Sequence, residues 1–503
     1  CCISILYCCD PDHNVFRVRR VLCTCMLRAT MMGPFVSFGL KRCRRVPSFM
    51  RKPASARIVW LLVTAIFGVT IPATLRAQTP ITLSDAVAMA LEKNPAHRQA
   101  YAARLVAAAA VRESRATLFP RLAFSQSGTR SNDPVFVFGA RLRQQRFTMA
   151  DFALNRLNRP VPIGDFSSRF SAQWTIFDSF QNLRQVRLAR LAEQSAGHAL
   201  ERADQEVVYR VTEAYYALLL AAKKVELAEA SLKTAESVQE RSSAMVETGM
   251  RVESDLLSAR TATAVRRQDL VQARNDLAVA EAALALALGL SPEEQLRPAE
   301  ALEEAHSFAG SLQELEQSAL ENRPELKQAR TELTAQQTGI TMAKSAFGPK
   351  VNAFGSWQTN SPSLSWNGGN NWTAGVEVQI DLFDGGSRRA RLARIRASAD
   401  QATAAAVGVQ DSIRLQVRRA YYDLDTARQQ VEISRTAIAE ARESLRIHQD
   451  RYESGLTTLT ELLRAEEAAD RAQTDYWDAV YRAHTSSARL ELASGTLSSK
   501  PRP

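Results

Sequence analysis

Apolar residues recur every seven positions in two long tracts, at Val211, Leu218, Val225, Leu232 and Val246, and again at Val417, Leu424, Val431, Ile438, Leu445 and Tyr452. Gln239 takes one place in the first series. Three residues after each apolar position comes a small side chain: Ala214, Ala221, Ala228, Ala235 and Ser242 in the first tract, Ala420, Ala427, Ser434 and Ala441 in the second, until His448 breaks the run. A strict seven-residue period requires left-handed supercoiling against neighbours, and the alanines let those neighbours approach closely. No proline occurs between Pro162 and Pro292 or between Pro362 and Pro501, so nothing interrupts a helix there. The pattern predicts ascending helices over roughly residues 183–246 and 387–452, about 95 Å long at about 1.5 Å per residue. Returning helices follow, marked by Leu270, Leu277 and Leu284 and by Leu462, Ala469, Tyr476, Ala483 and Leu490.

A different period precedes each tract. Short stretches alternate apolar with small or polar residues, which predicts strands at about residues 120–131, 166–177, 349–359 and 372–383. Each pair of strands follows a helical stretch, at residues 82–117 and 312–345. The two halves also repeat in letters: ALEKNP at 90–95 is answered by ALENRP at 319–324, an offset of 229 that also joins Leu83 to Leu312 and Pro120 to Pro349. Beyond the strands the offset becomes 206, pairing Ala214-Tyr215-Tyr216 with Ala420-Tyr421-Tyr422 and Gly249 with Gly455. The chain is therefore an internal duplication, and its first strand pair carries a loop 23 residues longer than its second. Pro95 and Pro324 are expected to mark a bend or a helix start.

Charge and cysteine separate the N-terminus from the rest. Of the formal +11, residues 1–49 hold +6 and residues 50–77 hold +4, leaving +1 for residues 78–503. The basicity therefore marks no nucleic-acid face. All seven cysteines precede residue 44, which excludes disulfides and thiolate metal sites downstream. Residues 1–49 read as an upstream extension outside the mature fold, with a zinc-binding or redox extension as the alternative. Residues 50–77 have the basic start, apolar run (Ile58–Ile71) and final small residue (Ala77) of a secretory signal peptide. That run is shorter than the about 20 residues a spanning helix needs. The remainder divides into a first repeat (81–290), a linker (291–310), a second repeat (311–494) and a tail (495–503).

Four strands are too few to close a barrel, since outer-membrane barrels begin at about eight, and left open they present unpaired edges. Either they form a small sheet on helices or several chains share one barrel. A secretion signal, the absence of an apolar spanning helix and the attachment of strands to very long helices favour the shared barrel. The chain resembles the TolC family of outer-membrane channel-tunnels. The resemblance rests on the duplicated order, on LFDGGSRRARLARIRAS (382–398), and on the turns Gly249…Asp255-Leu256-Leu257 and Gly455…Glu461-Leu462-Leu463. It covers about residues 81–494. It implies a mainly α fold: a long antiparallel coiled-coil α-barrel, plus four strands per chain that complete a twelve-stranded barrel in a homotrimer. It also implies the exit duct of a tripartite efflux pump or type I secretion system, in contact with outer-membrane lipid, a periplasmic adaptor protein and an inner-membrane transporter.

The resemblance implies site residues as well. Asp255 and Tyr452 match a carboxylate and a tyrosine bonded between neighbouring coils when such tunnels close. Glu461 matches the first acidic residue of the constriction, and Arg464 stands where a second would be. Thr457 replaces an arginine of the closing network. Arg464, three residues from Glu461, is placed to pair with it, so weaker cation selectivity is expected than from a doubly acidic ring. Gly249 and Gly455 are expected to cap the helices in the left-handed conformation and to admit the adaptor. Trp174, Trp357, Trp366 and Trp372 are expected at the membrane interface, with Phe124 and Phe177 facing lipid. His97, His198, His306, His448 and His484 are dispersed, and no phosphate loop or nucleophile elbow occurs. Neither an enzyme nor a cofactor is expected. The rival reading is a structural periplasmic coiled-coil protein without a pore.

Overall fold

The computed structural model describes residues 80–294, 296–304 and 310–497. The upstream extension, the signal peptide and most of the tail lie outside them. The described residues belong to one unit, Arg76–Pro503. Its elements run β1 (Pro80–Ile81), α1 (Leu83–Lys93), α2 (Pro95–Ala116), β2 (Arg121–Ser131), α3 (Pro134–Arg143), α4 (Leu154–Asn158), β3 (Ile163–Phe177), α5 (Gln181–Glu247) and α6 (Glu253–Leu288). The second half follows with β4 (Arg297–Pro298), α7 (Leu312–Asn322), α8 (Pro324–Ser345), β5 (Lys350–Ser361), β6 (Gly369–Gln379), α9 (Ser387–Glu453) and α10 (Leu459–Ser494).

The two sequence offsets reappear as matching element lengths. α1 and α7 have 11 residues each, and α2 and α8 have 22. α5 and α9 have 67 each, and α6 and α10 have 36. A 67-residue helix spans about 100 Å. The helical stretches before the strands are each broken in two at the prolines. Pro95 and Pro324 occupy the first turn of α2 and α8, where a missing N–H leaves no bond unmade.

The residue before each proline ties that break to the returning helix. Asn94 caps α2 by accepting from the Ala96 N–H at 2.8 Å, and its amide donates to the Ala287 carbonyl at 2.7 Å. Its counterpart Arg323 donates to the Ala493 carbonyl at 3.2 Å. Gly289 closes α6 at φ +77° and packs so tightly that an added Cβ would lie 2.6 Å from the Lys93 carbonyl oxygen.

The core is a belt across the middle of the long helices. Val207, Val211, Tyr215 and Leu218 of α5 are buried against Ala86 and Ala90 of α1, Leu284 and Leu288 of α6 and Val480 of α10. The second repeat builds the equivalent cluster from Leu315, Leu326, Ile413, Val417 and Leu490. β1 pairs in parallel with β4 beside this belt, and the buried Tyr215 hydroxyl donates to the Ile81 carbonyl at 3.1 Å.

β2, β3, β5 and β6 form one antiparallel sheet in that order, so β2 and β6 are its open edges. The enlarged connection between β2 and β3 is largely helical, containing α3, α4 and a short 3-10 turn at Met149–Phe152. Pro134 at the first turn of α3 and the capping carboxylate of Asp133, which accepts from the Phe136 N–H at 2.7 Å, start a helix that its loop-like composition concealed.

Candidate functional site

At the end of the helices far from the sheet, two turns connect α5 to α6 and α9 to α10. Each is closed by a glycine in the left-handed region, Gly249 at φ +74° and Gly455 at φ +73°. The following N–H groups, of Met250 and Leu456, return to the carbonyls of Met245 and Arg451 at 2.9 and 2.8 Å, the Schellman closure that requires this backbone. Among the described residues, nothing beyond the flanking residues lies within 4 Å of a Cβ built on either glycine. Met250 and Leu456 stand beside them, 69% and 70% exposed.

Behind the turns, Val238, Ala259, Tyr452, Leu459 and Leu462 form a small separate core. Tyr452 is only 2% exposed, and its hydroxyl meets Ser242 Oγ at 3.2 Å. Ser242 of the neighbouring α5 reaches that hydroxyl in the buried seam, and among the described residues no hydrogen bond joins it to Asp255. Asp255 sits in the first turn of α6, where its charge favours the exposed N–H groups of the helix start.

The residue that ties the two turns together was not among those singled out in the sequence. Arg251 lies with its guanidinium 4.9 Å from the centre of the Tyr452 ring and donates to the Thr457 carbonyl at 3.1 Å. Thr457 stands two positions after Gly455, and Arg251 stands two positions after Gly249. The 206-residue offset pairs Arg251 with Thr457, and that was the available signal. Arg241 and Glu453 form a further ion pair between the hairpins.

Glu461 does not pair with Arg464. Its carboxylate accepts from the Thr457 hydroxyl, and Thr458 and Glu461 complete a reciprocal cap at the start of α10. The Thr457 hydroxyl, the Thr458 N–H and the nearby charges of His448 and Arg451 hold the Glu461 carboxyl below its ordinary range. The local cap takes the carboxylate, and among the described residues Arg464 forms no ion pair with it.

The sheet has two unlike faces. Phe124, Phe170, Trp357 and Trp372 are successive cross-strand partners, so one aromatic row crosses all four strands. Trp366, from the connection between β5 and β6, stacks on Phe124 with ring centres 6.2 Å apart. On the same face, Leu122, Trp174, Val376 and Val378 are exposed. Trp174 donates its indole N–H to the Leu118 carbonyl at 3.0 Å, near the helical end of the sheet. The other face carries Ser125, Arg169, Ser171, Ser356, Gln358, Asn371 and Thr373, again in register. Apolar outside and polar inside is the alternation of a membrane barrel with an aqueous interior.

The outer membrane efflux protein family model matches residues 86–290 and 315–496. The chain belongs to that family. It is 26% identical over 392 residues to protein CyaE of Bordetella pertussis, covering 77% of this chain and 78% of that protein. It is 24% identical over 448 residues to the alkaline protease secretion protein AprF of Pseudomonas aeruginosa, covering 87% and 89%. Among solved structures, the Campylobacter jejuni CmeC outer membrane channel superposes with a TM-score of 0.71 at 18% identity, over 84% of this chain and 87% of that one. The fold is that of TolC-type channels, a long α-barrel with a few antiparallel strands. The family is one of passive channel proteins of the outer membrane that extend into the periplasm, and not of enzymes.

Proposed function

We propose that three copies of the chain form an exit duct through the outer membrane and periplasm, serving a tripartite efflux pump or a type I secretion system. The observation that carries this reading is the four-stranded sheet with one apolar face, one polar face and two open edges. β2 runs away from the helices and β6 runs back toward them, so β6 of one copy can pair antiparallel with β2 of the next. Three copies close a ring of twelve strands and leave no edge. The long helices then line a tunnel, and the turns at Gly249 and Gly455 face the periplasmic partners. The exposed Met250 and Leu456 beside them offer an apolar contact to an adaptor protein, which the inner-membrane transporter accompanies. Purified protein should migrate as a detergent-stable trimer and give single-channel conductance in planar bilayers. A soluble monomer that gives no conductance would support the poreless coiled-coil alternative instead.

The gate residues belong to the same proposal. Arg251, Tyr452, Ser242 and Thr457 hold the two turns of one chain together, and Glu461 places one carboxylate per chain near the entrance. A single acidic ring with Arg464 on the next turn gives weak cation preference. Reversal potentials in a salt gradient should show that preference and lose it in Glu461→Ala. Strong selectivity unaltered by this substitution contradicts the assignment. Because Glu461 titrates below the ordinary carboxylate range, the preference should persist into mildly acidic solution.

A further inference from the structure

We propose that residues 132–162, the insertion that separates the two offsets, form a positively charged constriction on the pore side of the barrel's outer mouth. This rests on the barrel reading above, which assigns the polar face of the sheet to the pore and the strand ends remote from the helices to the exterior. Joining the strands does not explain the insertion, because the second half connects its strands with residues 362–368 alone.

The placement follows from where the insertion docks. Asp165, Asn360 and Asn371 lie on the polar face, in register with Ser167, Gln358 and Arg169. Gln144, at the end of α3, is buried, and its amide donates to Asp165 Oδ1 at 3.0 Å and to the Gly164 carbonyl at 2.9 Å. Asn360 donates to Asp165 Oδ2 at 3.0 Å, so the buried carboxylate joins the insertion to two strands. Asn371 donates to the Arg143 carbonyl at 3.2 Å. Gly369 makes the approach possible, since a Cβ there would lie 2.2 Å from the Arg143 carbonyl oxygen. A segment folded outward over the rim would not bury an amide against a carboxylate of the inner face.

Charge gives the constriction its selectivity. Residues 132–162 hold Arg141, Arg143, Arg146, Arg156 and Arg159 against Asp133 and Asp151, a net +3. Asp151 is engaged by Arg141 and Arg156, while Arg143 stands 3.8 Å from Asp165. Deeper on the polar face, Arg169 is exposed. Three copies concentrate this positive potential where low-dielectric walls focus it. Anionic solutes are favoured at this mouth and cationic ones opposed, the reverse of the Glu461 ring at the entrance.

The seven cysteines all lie at or before residue 43, so Ser356→Cys places a single thiol in residues 80–503, on the pore face beneath the docked insertion. Anionic and cationic methanethiosulfonates are added outside intact cells, and each rate is divided by that reagent's rate with free thiol. With the insertion present, the anionic reagent should react about tenfold faster than the cationic one. Replacing residues 132–162 by the sequence of 362–368 should raise both rates about tenfold and bring their ratio toward one. Asp165→Asn, in protein that still extracts as a trimer, should move both readings in the same direction. Equal rates with and without the insertion overturn the constriction. A thiol unreactive in every variant overturns the pore reading beneath it.

Discussion

Gly455→Leu is expected to abolish export while the protein still reaches the outer membrane as a trimer, and Gly249→Leu is expected to do the same. Both glycines hold φ values above +70°, where a side chain adds about 1–2 kcal/mol of strain. That is small beside a fold held by two helical hairpins with buried seams and a belt of buried residues. Among the described residues, neither position has an atom beyond its flanking residues within 4 Å of a Cβ, so the leucine is turned toward what docks from outside. It would stand beside the exposed Leu456, or beside Met250 in the other turn, on the surface assigned to the adaptor. Gly289→Ala supplies the contrast. Its Cβ would sit 2.6 Å from the Lys93 carbonyl oxygen, so this smaller change should lower the trimer yield. Substrate accumulation in cells, with adaptor cross-linking and trimer yield on the same samples, separates the two failures. Undiminished export by Gly455→Leu would remove the adaptor role and leave these glycines as helix caps alone.

Much of the fold was legible because periodicity and duplication are properties of the chain itself. The seven-residue repeat at Val211, Leu218, Val417 and Leu424 defines a seam, and all four side chains are buried in it. The change of offset from 229 to 206 located the insertion, but its alternation of apolar and basic residues hid α3. Its C-terminal end is docked by contacts with Asp165 and Asn371 on the sheet. The gate was legible only position by position. Thr457 read as a missing arginine, although the 206-residue offset sets Arg251 at the matching place of the other turn; only the side-by-side hairpins show that Arg251 reaches across to the Thr457 carbonyl. Arg464 had the spacing to pair with Glu461, yet the nearer Thr457 hydroxyl took the carboxylate. Glu466 drew no notice among the alanines of α10, because nothing in its neighbours' letters announces a buried acid.

Glu466 leads to the second large expected effect: opening of the tunnel should become easier as pH rises from 5 to 8, and Glu466→Gln should remove most of that dependence. The residue is 6% exposed, and its Oε1 has no hydrogen-bond partner among the described residues. It lines a cavity of about 330 Å³ between the two helical hairpins, with Arg266, Asp470 and Arg442 on the surrounding walls. Burial raises its pKa to about 7, Asp470 on the same helix adds to the rise, and Arg266 and Arg241 on the facing hairpin oppose it without cancelling it. The sign follows from the acid's position. A separated or unfolded arrangement returns Glu466 to its ordinary value of 4.5, so the packed state's advantage from this group is complete below that pH. The advantage is then lost as pH rises through about 7, because the packed state must hold an unpartnered charge. The shift corresponds to roughly 3 kcal/mol per chain, about two orders of magnitude in the opening equilibrium for each chain whose Glu466 opening hydrates fully. Glutamine keeps the shape and cannot ionise. Open probability in planar bilayers from pH 5 to 8, wild type against Glu466→Gln, measures the effect. Identical profiles for the two proteins would show that Glu466 stays packed and protonated throughout opening.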